Sequence, residues 1–126
     1  MALRTDQINY ILKTNPYTMK HFIGTFPSCG VNELTTKKKT YCFITNDENC
    51  SESGNHWNAW IVKNNTMIFF DSFGRNVYDA TFPHEYKDFA RKFSRLTYFK
   101  KKMQGFESKC CGYFCIHFLV CIQQGI

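Results

Sequence analysis

A predicted β-hairpin near the middle of the chain is the feature that most restricts the possible folds. Two apolar stretches, residues 56–62 and 67–71, flank the pair Asn64 and Asn65. Asparagines of this kind are a strong turn signal between two strands. The sequence therefore predicts two antiparallel strands whose pairing is set by a turn centred on these asparagines.

The register of this hairpin predicts which side chains meet. A turn centred between the two asparagines places Asp71 opposite Asn58 on the neighbouring strand. His56 lies two residues further along that strand, and side chains two residues apart point to the same face. His56 and Asp71 are then diagonal neighbours, about 7–8 Å apart at the backbone and within side-chain reach. A slip of one residue would place them on opposite faces.

The last quarter of the chain predicts a buried helix with a cysteine at its start. An almost unbroken apolar run extends from Cys111 to Ile122. It is shorter than the ~20 residues needed to span a bilayer, and it lacks the alternation of a half-buried strand. Free N–H groups and the helix dipole stabilise a thiolate in the first turn of a helix. Cys111 is therefore either an inert core residue or a nucleophile, depending on its neighbours.

The remaining pattern indicates one domain, residues 1–126, with no internal boundary. Further helices are predicted at residues 5–15 and 83–96, with a helical turn at 17–21, and strands at 22–26, 40–45 and 97–103. Residues 27–39 predict a loop. Neither a signal peptide nor a membrane-spanning segment is recognised, so we expect a protein that is not secreted and does not enter a membrane.

The net charge of +6 is concentrated in one part of the chain. Between residues 87 and 102, seven basic residues face a single acid, Asp88. They are Lys87, Arg91, Lys92, Arg95, Lys100, Lys101 and Lys102. This cluster is either a solvated surface or a site for a polyanion such as DNA. No DNA-reading motif is present, so any DNA binding is expected to be non-specific.

Seven cysteines without a secretory signal favour a reducing compartment over a disulfide framework. The group Cys110, Cys111, Cys115, His117 and Cys121 lacks the paired spacing of structural zinc sites, so no metal is expected.

Four residues could together form a cysteine hydrolase. Such an enzyme needs a thiolate, a base bonded to it, a group that orients the base, and donors for an oxyanion. Cys111 can supply the thiolate, His56 the base and Asp71 the orienting carboxylate. The backbone N–H of Cys111 and the side-chain amide of Gln104 can donate to the oxyanion.

The same residues resemble the adenovirus-type cysteine proteases, the adenain family. The resemblance is carried by Gly54-Asn55-His56-Trp57, Phe69-Phe70-Asp71-Ser72-Phe73-Gly74, Gln104-Gly105 and Ser108-Lys109-Cys110-Cys111-Gly112-Tyr113-Phe114-Cys115. It extends upstream to residues 17–26. The order His, acid, Gln, Cys and the spacing from Gln to Cys together are a specific signal.

The resemblance implies an α+β fold in which a mixed β-sheet packs on helices. It implies a papain-like site with a permuted chain order and a nucleophile at the start of a central buried helix. The implied catalytic residues are Cys111, His56, Asp71 and Gln104. The expected substrate contacts beside the histidine are Gly54, Asn55 and Trp57.

The implied activity is a viral endopeptidase that cleaves capsid or core precursor proteins at Gly-containing sites. Such a protein would occupy the virion and the nucleus or cytoplasm of the host cell. Its chemistry needs no cofactor, although a peptide or DNA can activate family members. The cysteine that joins an activating peptide corresponds to a position near Phe93, so a disulfide-linked activator is not expected. The chain ends 15 residues after Cys111, so we expect a second copy or a partner chain to cover the helix.

Two other functions remain open on the sequence. One is a protease that removes ubiquitin-like or SUMO-like modifiers, to which this family is distantly related. The other is a catalytically silent relative that binds nucleic acid or a scaffold protein. A lowered thiol pKa at Cys111 would argue against the silent relative, and the two proteases differ in whether they cut precursor peptides or modifier fusions.

Overall fold

A mixed five-stranded sheet organises the part of the chain that the computed structural model describes, residues 3–46, 56–98 and 111–124. The strands follow chain order across the sheet and are β1 (Phe22–Pro27), β2 (Thr40–Asn46), β3 (Trp57–Lys63), β4 (Thr66–Phe70) and β5 (Arg95–Tyr98). The two outer pairs, β1–β2 and β4–β5, are parallel, and the inner pairs are antiparallel. The fold is therefore α+β, as the resemblance implied.

Helices cover both faces of this sheet. They are α1 (Thr5–Thr14), a 3₁₀ helix (Ser28–Glu33), α2 (His84–Ala90) and α3 (Cys111–Gln123). Side chains of α1 and α3 share one core with alternate residues of the sheet, and side chains of α2 and the 3₁₀ helix share the other. Because side chains alternate along a strand, each central strand contributes to both cores.

The predicted hairpin register is confirmed. Trp60 lies opposite Phe69 and Ala59 lies opposite Phe70, which is the pairing expected from a turn at the two asparagines. Asn64 adopts a positive φ of 56°, a conformation that asparagine tolerates better than most residues. Strand β3 is buried along almost its whole length because both of its faces are covered. The hairpin of β3 and β4 therefore lies inside the sheet, between β2 and β5.

The first core, between the sheet and helices α1 and α3, is mainly aliphatic. Its fully buried members include Ile8, Leu12, Ile44, Ala59 and Leu119. Phe70 and Phe118 stack with ring centroids 4.5 Å apart, which fixes α3 against β4. This core holds the helix whose first residue is Cys111.

The second core, between the sheet and α2, is mainly aromatic. Trp60 is fully buried and contacts four other rings, Phe43, Phe69, Tyr86 and Phe89, with centroid distances of 4.7–5.6 Å. Stacked and edge-to-face aromatic contacts of this kind contribute about 0.5–1.5 kcal/mol each beyond burial. This core anchors Tyr86, whose hydroxyl reaches toward the polar end of the hairpin.

The predicted helix over residues 83–96 is wrong in its second half. Helix α2 ends at Ala90, and residues 95–98 form β5 beside β4 instead of continuing the helix. The helical spacing did identify inward residues, since Phe93 and Leu96 pack against the second core. Pairing with the open edge of β4 competes with helix extension, and a sequence window cannot include that partner. The loop predicted at 27–39 similarly contains the 3₁₀ helix.

Cys29 is disulfide-bonded, whereas Cys42, Cys111, Cys115 and Cys121 are free. The expectation of reduced cysteines is therefore wrong for Cys29. Cysteine counting gives no information on proximity, which only the fold determines. No helix within the described residues combines the length and the apolar character needed to cross a bilayer.

Candidate active site

His56 lies immediately before β3 and makes a short hydrogen bond to Asp71, which immediately follows β4. The distance from His56 Nε2 to Asp71 Oδ1 is 2.5 Å, and the histidine side chain is 12% exposed. The ring of Phe73 stacks on the imidazole at 5.1 Å with an interplanar angle of 22°. The hairpin register and the stacked ring together fix both the position and the plane of the imidazole.

Asp71 is completely buried, and hydrogen-bond donors surround its carboxylate. Oδ1 accepts from His56, from Asn58 Nδ2 at 2.8 Å and from Arg75 Nη2 at 3.0 Å. Oδ2 accepts from Arg75 Nε at 2.9 Å and from the backbone N–H groups of Phe73 and Arg75, both at 3.2 Å. A buried carboxylate with this many donors is held ionised and in one orientation.

Cys111 is the first residue of α3, and its side chain forms a hydrogen bond with His56. The thiol is buried, with 3% of the residue exposed. The structure therefore brings together three of the four predicted catalytic residues: Cys111, His56 and Asp71.

A close approach between α3 and β3 positions Cys111. A methyl group on Gly112 would lie 3.2 Å from both Leu3 and Trp57, so an alanine there would require these side chains to shift by a few tenths of an ångström. One turn later, Cys115 Sγ donates to the backbone carbonyl of Trp57 at 3.3 Å. The first turn of α3 is thus fixed against the first residue of β3, directly beside His56.

The charges of the site shift two pKa values in opposite directions. Burial lowers the pKa of His56, but hydrogen bonds and charge interactions with Asp71 and Cys111 outweigh burial and raise it to about 9. Burial would raise the pKa of Asp71, but hydrogen bonds and charges from His56 and Arg75 hold that pKa far below its usual range. The site therefore favours an imidazolium next to a carboxylate at neutral pH.

This geometry determines the proton positions that the site can use. Asp71 is ionised, so the hydrogen on the bond between His56 and Asp71 belongs to Nε2. The other ring nitrogen, Nδ1, then faces Cys111, and because the pKa of His56 is about 9 it holds the second proton of the imidazolium at neutral pH. A histidine held in this tautomer can act as a base toward a thiol and as an acid afterwards.

A chain of buried hydrogen bonds extends from Asp71 into the second core. Tyr86 donates to Asn58 Oδ1 at 3.1 Å, and so its oxygen accepts from Thr45, which lies 2.6 Å away. Trp60 Nε1 in turn donates to Thr45 Oγ1 at 2.8 Å. These bonds fix the amide of Asn58 so that its NH₂ group points at Asp71.

The sequence reasoning missed Arg75 and Tyr86 as residues of this site. Arg75 carried one usable signal, since it is a cation four residues after Asp71 in a turn that contains Gly74. Tyr86 carried none, because its spacing within a helix only indicated an inward side chain.

Several predicted site residues are placed elsewhere or lie outside the described residues. Trp57 is 6% exposed and packs in the first core, so it offers little surface to a substrate. Six further predicted site residues lie outside the described residues: Gln104, Gly54, Asn55, Lys100, Lys101 and Lys102.

The described basic residues do not form one helical face. Lys87 belongs to α2, Arg91 and Lys92 follow its end, and Arg95 begins β5. Arg91 pairs with Asp88 at 2.9 Å, and Lys92 lies over the ring of Phe89. The basic side chains Arg91, Lys92 and Arg95 are exposed. The surface is therefore basic, but its charges are spread over two elements.

Two other buried cysteines have environments that disfavour reaction. Burial raises the pKa of Cys42 to about 12, although the charge of Lys38 opposes this, and burial raises the pKa of Cys115 well above its usual value. Both thiols stay protonated at neutral pH. Within the described residues, no group of three or more His, Cys, Asp or Glu side chains is arranged to hold a metal ion.

A comparison with models of known protein families and with curated proteins finds no match to this chain.

Proposed function

We propose that this protein is a cysteine endopeptidase with a papain-like site whose parts occur in permuted chain order. The observation that carries the proposal is the position of the His56 ring, which is hydrogen-bonded to the Cys111 thiol and to the buried Asp71 carboxylate at once. A thiol at a helix start, an oriented imidazole and a carboxylate behind it are the parts that nucleophilic acyl transfer requires.

In the proposed reaction, the Cys111 thiol has already given its proton to His56 Nδ1, which makes the imidazolium, and the resulting thiolate attacks the carbonyl carbon of a peptide bond. The oxygen of the tetrahedral intermediate accepts a hydrogen bond from the backbone N–H of Cys111, and Gln104 is proposed as the second donor. His56 then protonates the departing amine, which leaves a thioester on Cys111. Water, deprotonated by His56, hydrolyses the thioester and restores the thiol.

The role of Asp71 in this scheme is to hold the imidazole and to stabilise its positive charge. The carboxylate does not itself take up the proton, since its donors keep its pKa far below neutral. The resemblance to adenain supports precursor proteins cleaved at Gly-containing sites as substrates. It also supports action during virion assembly, and Gly54 and Asn55 as substrate contacts.

Non-specific DNA binding by the basic residues is part of the proposal, as an accessory to cleavage. The exposed Arg91, Lys92 and Arg95 support it, and binding through them would weaken steeply as salt rises. Covering of the outer side of α3 by a second copy or a partner chain also stays a proposal, and the 47% exposure of Tyr113 is consistent with it.

The deciding experiment compares Cys111→Ala with Cys110→Ala, a matched change at the neighbouring cysteine. We expect Cys111→Ala to abolish cleavage of Gly-containing precursor peptides and Cys110→Ala to keep most of the activity. Ubiquitin-like and SUMO-like fusions are tested in parallel, because preference for them would identify a deconjugating protease instead. Full activity of Cys111→Ala would refute the proposed nucleophile.

A further inference from the structure

Arg75 binds both oxygens of Asp71 with one guanidinium group. Its Nε and Nη2 atoms lie 2.9 and 3.0 Å from Oδ2 and Oδ1, respectively. Two parallel N–H···O bonds of this kind fix the plane of a carboxylate as well as its position. The carboxylate plane, in turn, determines where the lone pairs of Oδ1 point relative to His56.

The guanidinium group is itself held on several sides. Its third nitrogen, Nη1, donates to Thr81 Oγ1 at 2.9 Å, and its central carbon lies 4.3 Å from the centre of the Phe82 ring. Gly74 precedes it with a φ of 77°, a conformation that favours glycine, and a turn hydrogen bond of 2.8 Å joins Gly74 to Asp71. This turn folds Arg75 back onto the carboxylate four residues before it.

We propose that Arg75 is a positioning residue of the site: its fork sets the orientation of Asp71 and presents the carboxylate to His56 as half of a neutral ion pair. This inference depends on the proposed function, because it describes how the same histidine is prepared for proton transfer. Arg75 bonds Asp71 directly and also lies 5.4 Å from the centre of the Phe73 ring, which stacks on His56, so it acts on the imidazole through its neighbours.

The guanidinium of Arg75 has two effects on the imidazole of His56. Asp71 without a counter-charge would stabilise the imidazolium so strongly that His56 would release its proton to a leaving amine less readily. Arg75 opposes this with a positive charge on the far side of the carboxylate. It also keeps the carboxylate ionised, which preserves the imidazole tautomer. The fork therefore provides orientation, and the charge limits how basic the histidine becomes.

Several titratable groups surround the Arg75–Asp71 pair, and each of them can contribute to the pH dependence measured at His56. On α3, Cys111 bonds His56, and Cys115 interacts with the charge of Asp71. Asp79 in the loop before α2 interacts with both Arg75 and Asp71, and Tyr86 on α2 reaches Asp71 through Asn58. In contrast to these groups, Arg75 is permanently charged and contacts the Asp71 carboxylate directly.

The test measures the His56 pKa directly, by NMR titration of the imidazole in a Cys111→Ala background, which needs no substrate. Arg75→Met is expected to raise the His56 pKa by about one unit, because a nearby positive charge is removed. Arg75→Lys keeps the charge and is expected to leave that pKa within about 0.3 units. The control is Lys13→Met, which removes one positive charge from an exposed position on α1. It should leave the His56 pKa unchanged.

The fork is tested separately in protein that retains Cys111. Lysine cannot make two parallel bonds to a carboxylate. Arg75→Lys is therefore expected to lower kcat about tenfold with KM nearly unchanged, and to slow alkylation of Cys111 by iodoacetamide by a similar factor.

An Arg75→Lys protein with wild-type kcat and alkylation rate would overturn the proposal, and so would an unmoved or lowered His56 pKa in folded Arg75→Met. If Arg75→Met does not fold, the kcat and the Cys111 alkylation rate of Arg75→Lys decide whether the proposal holds. The outcome is separable from the proposed function. A wild-type protein that cleaves no peptide would refute the protease, while the titration would still show whether Arg75 controls His56.

Discussion

Replacing Asp71 by asparagine tests the central electrostatic argument, because it changes one charge at almost constant volume. The side chain accepts six hydrogen bonds from four residues, two of them from the guanidinium of Arg75. An amide at this position would direct its NH₂ group at some of these donors. We therefore expect Asp71→Asn to disturb both the proton affinity of His56 and the net charge of a buried cluster.

The effect on His56 follows from the causes of its pKa shift. In the wild-type protein the pKa is about 9, so roughly thirty imidazolium ions exist per neutral ring at about pH 7.5. Without the carboxylate, burial still lowers the pKa and Cys111 still raises it, so the value falls toward the ordinary histidine value of about 6.5. The ratio then drops to about one in ten, a change of roughly 300-fold, before any loss of orientation is counted.

The assay is the rate of Cys111 alkylation by iodoacetamide as a function of pH, read by peptide mapping, together with kcat/KM for a precursor peptide. We expect both rates at about pH 7.5 to fall by about 10²–10³-fold in Asp71→Asn. The free energy of unfolding should decrease by about 3–5 kcal/mol, because Arg75 loses its buried partner. Asp88→Asn, which removes an exposed carboxylate paired with Arg91, is the control and should change neither rate appreciably. An Asp71→Asn protein that is folded and alkylated at the wild-type rate would refute the reasoning.

Three further predictions concern the helix start, the other thiols and the dependence of stability on pH. Gly112→Ala should lower kcat about tenfold and the free energy of unfolding by about 1–3 kcal/mol, since its methyl group would sit 3.2 Å from two side chains; a wild-type kcat would show that helix α3 tolerates the shift. Native protein treated with iodoacetamide near neutral pH should be labelled at Cys111 and not at Cys42 or Cys115, and equal labelling of the three by mass spectrometry would contradict the raised pKa values of the latter two. His56 has a pKa raised from 6.5 to about 9 on folding, so its stabilising contribution, at most about 3 kcal/mol, is complete below pH 6.5 and is lost as pH rises through 9. The free energies of unfolding of wild type and His56→Gln, measured by urea denaturation, should accordingly converge between pH 6 and pH 10. A difference that stays constant with pH would contradict this.

The contact between His56 and Asp71 could be predicted because it depends on local rules. The asparagine turn sets the register, and strand alternation then determines which side chains share a face. Neither step requires knowledge of the rest of the fold. The structure confirms the register at every hairpin pair from Lys63–Thr66 to Ala59–Phe70. Residues beyond the last pair, where the polar side chains lie, follow from it without a further assumption.

The contacts behind the carboxylate could not be predicted because they depend on packing between elements. Arg75 reaches Asp71 only because Gly74 adopts a positive φ and the Phe82 ring supports the guanidinium. Tyr86 reaches Asn58 only because α2 packs on the same face of the sheet. The end of α2 at Ala90 has a similar origin, since pairing with β4 outweighs a helical pattern that continues in the sequence.

The two cores of the molecule position different members of the site. Cys111 is positioned from the first core, through the contact of Gly112 with Trp57 and the stacking of α3 on β4. Asp71 is positioned from the second core, through the chain of hydrogen bonds that leads by way of Asn58 and Tyr86 to Thr45. The imidazole immediately precedes β3, a strand that contributes side chains to both cores. A substitution that shifts either core against the sheet therefore changes the distance between thiol and carboxylate across the ring, even when all three reacting side chains are intact.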